Sequence, residues 1–274
     1  MAAVTTAGDR GPRVERAWAK LTVTLRITGV RPDGYHLIDA EMVSVDLVDS
    51  LTFEPGLGVA VVDRVVGGLG VADLGDGPGN LVSRALALAG RQAAVRLVKR
   101  IPVGAGLGGG STDAAAVLRW AAWPSASLAA SLGADVPFCV RGGAARVTGI
   151  GEVVESLPYR DRRFVLLIPP IAVSTAAVYR AYDDARGAGV APEEPPGAND
   201  LEAAALSVVP ELARWRDTLA EVTGCAPVLA GSGATWFVEG DSEALGIDDR
   251  PYLVLNGARA PVVPVRTVRP EPTL

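Results

Sequence analysis

Five glycines within seven positions, from residue 104 to residue 110, form the segment whose chemistry is easiest to interpret. The stretch from Arg100 to Val117 reads RIPVGAGLGGGSTDAAAV, and AAVRLVKR leads into it. This order predicts a strand, a glycine loop and a helix. Glycine lets a backbone approach a ligand closely, and a helix start presents unpaired N–H groups and the positive end of a dipole. We therefore expect an anion site, and the usual anion is a phosphate.

Three interpretations of this loop compete. A plain turn would rarely use so many glycines, because each one costs backbone entropy. The spacing Gly104-x-Gly106-x-x-Gly109 matches a dinucleotide fingerprint, but no strand with an acidic end follows about 20 residues later, where the ribose would need it. A P-loop is excluded, since no Gly-Lys-Ser/Thr closes the motif. A nucleoside-triphosphate loop of a different type is the interpretation we favour.

The composition limits the class of protein and its partners. The 274 residues are 49% hydrophobic and 21% charged, as in ordinary globular proteins. The net charge of −5 argues against nucleic acid or an anionic membrane as a partner. No apolar run approaches the roughly 18 residues of a membrane span. We expect a cytoplasmic protein with a small-molecule substrate, either a monomer or a weak homodimer.

Cysteine and histidine usage excludes one kind of site. Cys139 and Cys225 lie far apart without a C-x-x-C pair, and His36 is the only histidine. A structural zinc site is therefore not expected. We interpret both cysteines as small buried residues in a reducing cytosol.

The pattern along the chain predicts an α+β protein with two lobes. Residues 1–16 are interpreted as a disordered leader, and strands and helices then alternate. The character of the sequence changes between Pro158 and Arg163, so we predict an N-terminal lobe that carries the glycine loop over residues 1–160 and a smaller C-terminal lobe over residues 161–274. The cleft between two lobes is the default place for a catalytic site.

Several element boundaries follow from local signals. Asn80 is a plausible N-cap for a short helix, and further helices are predicted from Thr175 and from Pro210. The segment PYLVLNG is interpreted as the last strand, with an irregular end to the proline-rich tail after it.

Four more segments must be considered together with the glycine loop: AWAKLTVTL from Ala17, RPDGYH from Arg31, GADVPF from Gly133 and AGSGAT from Ala230. All five, in this order, resemble the GHMP small-molecule kinases. Within that superfamily they are most similar to the family of 4-diphosphocytidyl-2-C-methyl-D-erythritol kinases, which serve isoprenoid (terpenoid) precursor biosynthesis by the non-mevalonate route. The resemblance covers most of the chain, from about Ala17 to Val238.

The resemblance implies a fold and a reaction. The fold would be a GHMP-kinase-like pair of lobes, the first ribosomal-S5-like and the second, smaller one ferredoxin-like. The reaction would be transfer of the γ-phosphoryl group of ATP, with Mg²⁺, to the 2-hydroxyl of 4-diphosphocytidyl-2-C-methyl-D-erythritol.

Asp135 and Lys20 match the catalytic pair of the family. Asp135 would take the proton of the acceptor hydroxyl, and the alternative is an aspartate that caps a turn before Pro137. Lys20 would pair with Asp135, keep it ionised and stabilise charge on the transferring group. The alternative for Lys20 is a solvated strand lysine, although its strand is otherwise apolar.

The resemblance also assigns a subsite for the cytosine base. Tyr35 would stack on the ring and His36 would hydrogen-bond its polar edge. Tyr179 would cover the other face, and Tyr182, three residues on, could exchange roles with it. The alternative for His36 is a structural residue that closes the Pro-Asp-Gly turn.

The remaining assignments concern the phosphate loop and the acceptor. Ser111 or Thr112 either caps the helix or contacts the phosphates or Mg²⁺. The sequence has no direct metal motif, so Mg²⁺ would be held mainly through ATP, with Ser111 as one candidate ligand. Asn80 falls on the adenine side, with a helix cap as the alternative, and residues 231–233 either approach the substrate or form a strand-to-strand turn. The ATP-binding candidates are Pro102, Gly104, Gly106, Leu107, Gly108, Gly109, Gly110, Ser111, Thr112 and Asn80, and the further substrate-binding candidates are Thr22, Gly231, Ser232 and Gly233.

Two positions depart from the family pattern. Thr22 stands where the family has an asparagine that is thought to contact the acceptor, and Trp18 replaces a proline beside Lys20. These changes leave two alternatives open: a kinase of the same superfamily with another small alcohol as acceptor, and a catalytically inactive nucleotide-binding homologue. The presence of both Lys20 and Asp135 favours an active kinase.

Overall fold

The computed structural model describes residues 5–6, 12–68, 79–123, 126–187 and 197–270. The helices found there are α1 (Leu81–Leu88), α2 (Gly109–Trp120), α3 (Ala126–Ala129), α4 (Val136–Arg141), α5 (Thr175–Gly187), α6 (Glu202–Val208) and α7 (Glu211–Thr223). The strands are β1 (Thr5–Thr6), β2 (Arg13–Val30), β3 (His36–Glu54), β4 (Val59–Asp63), β5 (Arg91–Gln92), β6 (Ala94–Lys99), β7 (Ala144–Gly149), β8 (Val153–Ser156), β9 (Arg163–Leu167), β10 (Val228–Leu229), β11 (Trp236–Glu239), β12 (Tyr252–Leu255) and β13 (Ala258–Arg266).

Two larger sheets use different parts of the chain. The six-stranded sheet has the order β4-β6-β3-β7-β8, with β2 paired to β3, and the five-stranded sheet has the order β10-β11-β9-β13-β12. The first therefore uses strands between residues 13 and 156, and the second uses strands between residues 163 and 266. A short parallel pair, β1 with β5, stands apart from both. The expected α+β class is confirmed.

A long hairpin of β2 and β3 is the frame of the first sheet. The RPDGY turn closes it: Arg31 N–H donates to the Tyr35 carbonyl at 2.7 Å, and Gly34 takes a φ of +88°. Asp-Gly suits such a turn because glycine tolerates positive φ. The β2–β3 register shifts between Trp18 and Ala19, and again between Thr22 and Thr24. Such bulges change where side chains point and are frequent beside active sites.

Helix α2 packs against this hairpin with its smallest residues. Ala114, Ala115 and Ala116 have no exposed surface. Alanine side chains let a helix approach a strand closely, because the separation depends on the side chains at the contact. The sequence AAAV after the glycine loop therefore lets α2 pack closely against the β2–β3 hairpin.

The first long strand begins earlier than expected. β2 starts at Arg13, and Arg13 to Trp18 pair with Phe53 to Val48 of β3. The assignment of residues 13–16 to a disordered leader was therefore wrong. Glu15 is buried and forms an ion pair with Arg13 at 3.0 Å. The charged start of β2 is therefore part of the sheet. Residues 1–4 and 7–11 of the proposed leader lie outside the described residues.

The last strand is β13 rather than PYLVLNG, and it contains two prolines. Val262 N–H donates to the Pro251 carbonyl and therefore faces β12. Backbone nitrogens two residues apart in a strand face the same side, so the Pro264 nitrogen also faces that side, but past the residues of β13 that pair with β12. Pro261 lies opposite the end of β9. Proline lacks an N–H and is tolerated in strands where no partner needs one. The prolines therefore do not interrupt this strand, which the sequence analysis missed.

Arg162 connects the two sheets directly. Its guanidinium donates to Glu41 of β3 at 2.6 Å and to both carboxylate oxygens of Glu239 of β11 at 2.7 Å. The hydrogen bonds from Arg162 lower the pKa of Glu239. Bidentate arginine–carboxylate pairs are geometrically specific, so this residue helps to fix the second sheet beside the first.

Candidate active site

The glycine loop has the predicted position, between β6 and α2. Gly104, Gly106 and Gly108 have φ values of +72°, +79° and +68°. α2 begins at Gly109, with Gly108 at its N-cap and no side-chain capping bond. Ser111 and Thr112 are therefore inside the first turn and do not cap the helix, because the helix begins before them; the Thr112 hydroxyl donates to the Gly109 carbonyl at 2.9 Å.

Two of these glycines are required by the protein's own packing. A Cβ on Gly106 would lie 2.4 Å from the Ala230 carbonyl oxygen, and one on Gly108 would lie 2.6 Å from Cγ of Lys20. Gly104, in contrast, would meet nothing within 4 Å. Gly104 and Gly110 are exposed, so the loop is open on one side and closely packed on the other.

Lys20 and Asp135 form an ion pair next to the loop. Lys20 Nζ lies 3.3 Å from Asp135 Oδ2, and the side chains are 7% and 31% exposed. The Lys20 backbone N–H donates to the Leu107 carbonyl at 3.1 Å, so a hydrogen bond joins β2 directly to the glycine loop. Asp135 occupies the N-cap position of α4 but makes no capping bond. The solvated-lysine and capping alternatives are therefore both wrong.

Thr22 lies beside Lys20. Its Oγ1 accepts a hydrogen bond from Lys20 Nζ at 3.0 Å, and the residue is 2% exposed. Two of the three β2–β3 register shifts flank the Lys20–Thr22 segment. Trp18, on the other side of the first shift, is half-buried, with Arg16 5.4 Å from its ring centre. The structure therefore gives Thr22 a clear local partner, the Lys20 ammonium.

The aromatic residues expected around a base come together only in part. The His36 ring lies 4.8 Å from the Tyr179 ring and 6.0 Å from that of Tyr182. Burial, together with the charge of Asp135, raises the pKa of Tyr179 to about 12. Tyr35, in contrast, is 59% exposed, and its ring lies under the Arg31 guanidinium at 5.5 Å.

The loop at 230–235 belongs to the second sheet but contacts the glycine loop. Thr235 N–H donates to the Ala105 carbonyl at 3.2 Å. A Cβ on Gly231 would lie 3.5 Å from Lys20 Nζ. Ser232 points elsewhere, since its hydroxyl shares a 2.8 Å hydrogen bond with that of Thr175, and Gly233 takes a φ of +95°.

Asn199 holds this loop in place. Its buried side-chain amide donates to the carbonyls of Leu229 at 2.8 Å and Gly231 at 2.6 Å, and its oxygen accepts from Leu201 N–H. The next residue, Asp200, bonds Arg26 and the Ile27 N–H of β2. These two residues were not singled out from the sequence, because their role depends on contacts with distant segments. The segment before them, residues 188–196, lies outside the described residues.

Asn80 caps α1. Its Oδ1 accepts from Val82 N–H at 2.8 Å, which confirms the predicted N-cap. Pro102 is buried at the base of the glycine loop, as is Leu107 within it. A contact with adenine stays a prediction for Asn80.

A buried ionic cluster lies beneath the glycine loop and was missed by the sequence analysis. Lys99 Nζ donates to Asp49 Oδ2 and, at 2.8 Å, to Asp113 Oδ2, and none of the three side chains is more than 4% exposed. Asp49 Oδ1 also accepts from the N–H groups of Arg100 and Ile101. The cluster therefore joins β3, the end of β6 and α2 just after its first turn.

The two aspartates of this cluster are not equivalent. Asp113 Oδ1 is buried without a hydrogen-bond partner among the described residues. Burial raises the pKa of Asp113 to about 7, against the opposing effect of Lys99. Burial alone would lower the pKa of Lys99, but the charges of Asp113 and Asp49 outweigh it and raise that pKa. With its pKa raised in this way, Asp113 is easier to protonate in the folded protein than in the unfolded chain.

Within the described residues, no group of three or more His, Cys, Asp or Glu side chains is placed to hold a metal ion. Burial raises the pKa of the Cys139 thiol, whereas Cys225 is exposed because it follows the C-terminal glycine of α7; its expected burial was wrong. No helix in the described part of the chain is long and apolar enough to cross a membrane.

Comparisons of this sequence with those of known proteins indicate its family. Residues 80–143 match the family described as GHMP kinases N terminal domain. A 4-diphosphocytidyl-2-C-methyl-D-erythritol kinase of Cereibacter sphaeroides is 38% identical over 93% of this chain and 94% of its own length. The protein of the same name from Paracoccus denitrificans is 41% identical over 82% of this chain and 86% of its own. This chain belongs to the 4-diphosphocytidyl-2-C-methyl-D-erythritol kinase family.

Solved structures agree with the family assignment. A crystal structure of 4-(cytidine 5'-diphospho)-2C-methyl-D-erythritol kinase has a TM-score of 0.66 and 30% identity, and the match covers 93% of this chain and all of that one. Mevalonate kinase of L. major, in complex with R-mevalonate, has a TM-score of 0.60 but only 12% identity, over 98% and 99% of the two chains. The second likeness shows a shared fold alone.

We predict that Thr22→Val lowers kcat/KM of this kinase-family protein by roughly tenfold, because the buried Lys20 ammonium loses a hydrogen bond worth about 1.5–3 kcal/mol. Steady-state phosphorylation assays measure the effect. Thr22→Ser keeps the hydroxyl and should stay within about twofold of wild type. Thr24→Val is the matched control, since it removes a hydroxyl from the same strand away from Lys20. Full activity of Thr22→Val would show that Lys20 does not need this partner.

The buried cluster predicts a pH-dependent stability. Because the folded-state pKa of Asp113 is raised to about 7, the folded protein holds a proton that the unfolded chain has lost above about pH 4. The free energy of unfolding should therefore fall as the pH rises from about 4 to 7, by at most about 1.4 kcal/mol per pH unit. Asp113→Asn removes this titration and should flatten the curve in urea unfolding at several pH values.

The control for this prediction is Asp248→Asn, which removes an exposed carboxylate and should leave the slope of the wild-type curve unchanged. Parallel curves for wild type and Asp113→Asn would contradict the protonation of Asp113 in the folded protein.

Proposed function

We propose that this protein phosphorylates the 2-hydroxyl of 4-diphosphocytidyl-2-C-methyl-D-erythritol with ATP. The observation that carries the proposal is the Lys20–Asp135 ion pair of 3.3 Å beside the glycine loop. It supplies a general base and a fixed positive charge where a phosphate would be bound. Relatives of this name, 38–41% identical, support the choice of acceptor.

The chemistry assigned to the pair is proton removal with charge stabilisation. As the acceptor oxygen bonds to the γ-phosphorus of ATP, the bond from that phosphorus to the β–γ bridging oxygen breaks, and ADP leaves. The hydroxyl proton passes to Asp135, whose side chain is partly open to solvent. Lys20, nearly buried, holds the Asp135 carboxylate by their ion pair and stabilises negative charge on the transferring group.

The loop residues fit a triphosphate. Gly104 has open space around its Cα, and the exposed Gly110 lies in the first turn of α2. By helix geometry, the N–H groups of that turn lack intrahelical partners and attract an anion. Mg²⁺ would neutralise phosphate charge, and Ser111, half-buried in the same turn, is the side chain we assign beside it.

The base subsite is assigned to His36 and Tyr179, which contact each other in the structure. Tyr35 is on the surface in this conformation, so its stacking on cytosine requires the side chain to turn inward from Arg31. Thr22 and residues 231–233 complete the acceptor side near Lys20. The strands of one sheet end by residue 156 and those of the other begin at residue 163, which supports the proposed lobes over residues 1–160 and 161–274.

The proposed activity is tested by ADP release from the purified protein with Mg-ATP and 4-diphosphocytidyl-2-C-methyl-D-erythritol, against a control without acceptor. We expect ADP formation that depends on the acceptor. ADP release with mevalonate or homoserine but not with this acceptor would place the protein with another alcohol. ATP binding without ADP on any acceptor would make it an inactive homologue.

Asp135→Asn should lower kcat by about 10²- to 10⁴-fold, because an amide cannot take the hydroxyl proton. ATP affinity, measured by calorimetry, should change little. Asp248→Asn, which alters an exposed aspartate, is the matched control. Near-normal turnover of Asp135→Asn would overturn the role of Asp135 as base.

A further inference from the structure

The His36 ring has a carboxylate partner that the base subsite alone does not explain. Nε2 of His36 lies 2.7 Å from Oδ1 of Asp183, and the His36 side chain is 9% exposed. An ionised carboxylate only accepts hydrogen bonds, so Nε2 must carry the proton in this contact. In the neutral ring, Nδ1 is then an acceptor.

One face of α5 surrounds this histidine. Tyr179, Tyr182 and Asp183 follow the i, i+3, i+4 spacing that places side chains together on a helix. The Tyr179 ring packs against His36 at an interplanar angle of 39°, and Tyr182 approaches edge-on at 79°. The Asp183 side chain is 52% exposed, so no core packing depends on it. Its contact with His36 is the one hydrogen bond found for that ring within the described residues.

We propose that Asp183 is a positioning residue that keeps the ring proton of His36 on Nε2, so that Nδ1 accepts from the exocyclic amine of cytosine and rejects uracil. The inference rests on the proposed function for the identity of the base. Cytosine carries an amine donor at the position where uracil carries a carbonyl acceptor. An unprotonated nitrogen attracts the first and repels the second, which gives selectivity by both attraction and repulsion.

The position of the ring proton can be read directly, because His36 is the only histidine of the chain. In a long-range ¹H–¹⁵N spectrum, Nε2 lies within two bonds of both ring C–H protons, whereas Nδ1 lies within two bonds of one. We expect the protonated nitrogen of the wild type to be the one that couples to both. In Asp183→Asn the amide can accept or donate, so both tautomers should be populated.

The functional readout is the preference for cytidine over uridine diphosphate. Titrations of the full chain with CDP and UDP give the ratio of their Kd values, and phosphorylation of the cytidine and uridine forms of the acceptor gives the ratio of kcat/KM. Both ratios should fall by roughly tenfold in Asp183→Asn, in line with the loss of one oriented hydrogen bond. Asp183→Ala should give the same result. Asp184→Asn, an exposed neighbour on the same helix, is the matched control and should keep the wild-type ratios.

Two outcomes would overturn the proposal: a wild-type ring protonated on Nδ1, or unchanged ratios in Asp183→Asn, whether CDP and UDP show equal losses of affinity or none. Equal losses would assign Asp183 a purely structural role. If the wild type phosphorylates neither acceptor, the proposed function fails, but the tautomer and the ratio of the CDP and UDP Kd values still decide the role of Asp183.

Discussion

The buried contact of Lys99 with two aspartates is the constraint on which the site depends. A charged lysine that is 1% exposed is tolerable only with opposite charges and hydrogen bonds around it. Asp49 supplies both, because it also binds the backbone N–H groups of Arg100 and Ile101. The start of the glycine loop therefore has a fixed position relative to β3, and Asp113 extends that position to α2.

A second constraint acts at the level of backbone contact. Gly106 and Gly108 leave no room for a Cβ, since one faces the Ala230 carbonyl and the other faces the Lys20 side chain. The glycine loop is thus enclosed between β2 and the 230–235 loop. The same close packing keeps the Lys20 side chain buried.

Local sequence signals predicted the elements of this site, namely the strand–loop–helix order and the Asn80 cap. The pairing of Lys20 with Asp135 was expected only from the family resemblance, and other contacts between distant segments were missed. The Lys99 cluster was missed because its members are 14 and 50 residues apart in sequence and only the strand register brings them together. Tyr35 was expected at the base, but residues of a tight turn extend outward. β13 was missed because its prolines break the usual strand pattern. The strand tolerates them because no neighbouring strand needs a hydrogen bond from either proline nitrogen.

The hydrogen bond from Thr235 to Ala105 has a consequence for how the chain is made. Synthesis runs from the N-terminus, and domains generally fold as they emerge. The glycine loop leaves the ribosome long before the segment that encloses it, so it spends that interval with one side uncovered. The enclosure of the glycine loop is therefore completed only after residues 230–235 have been synthesised.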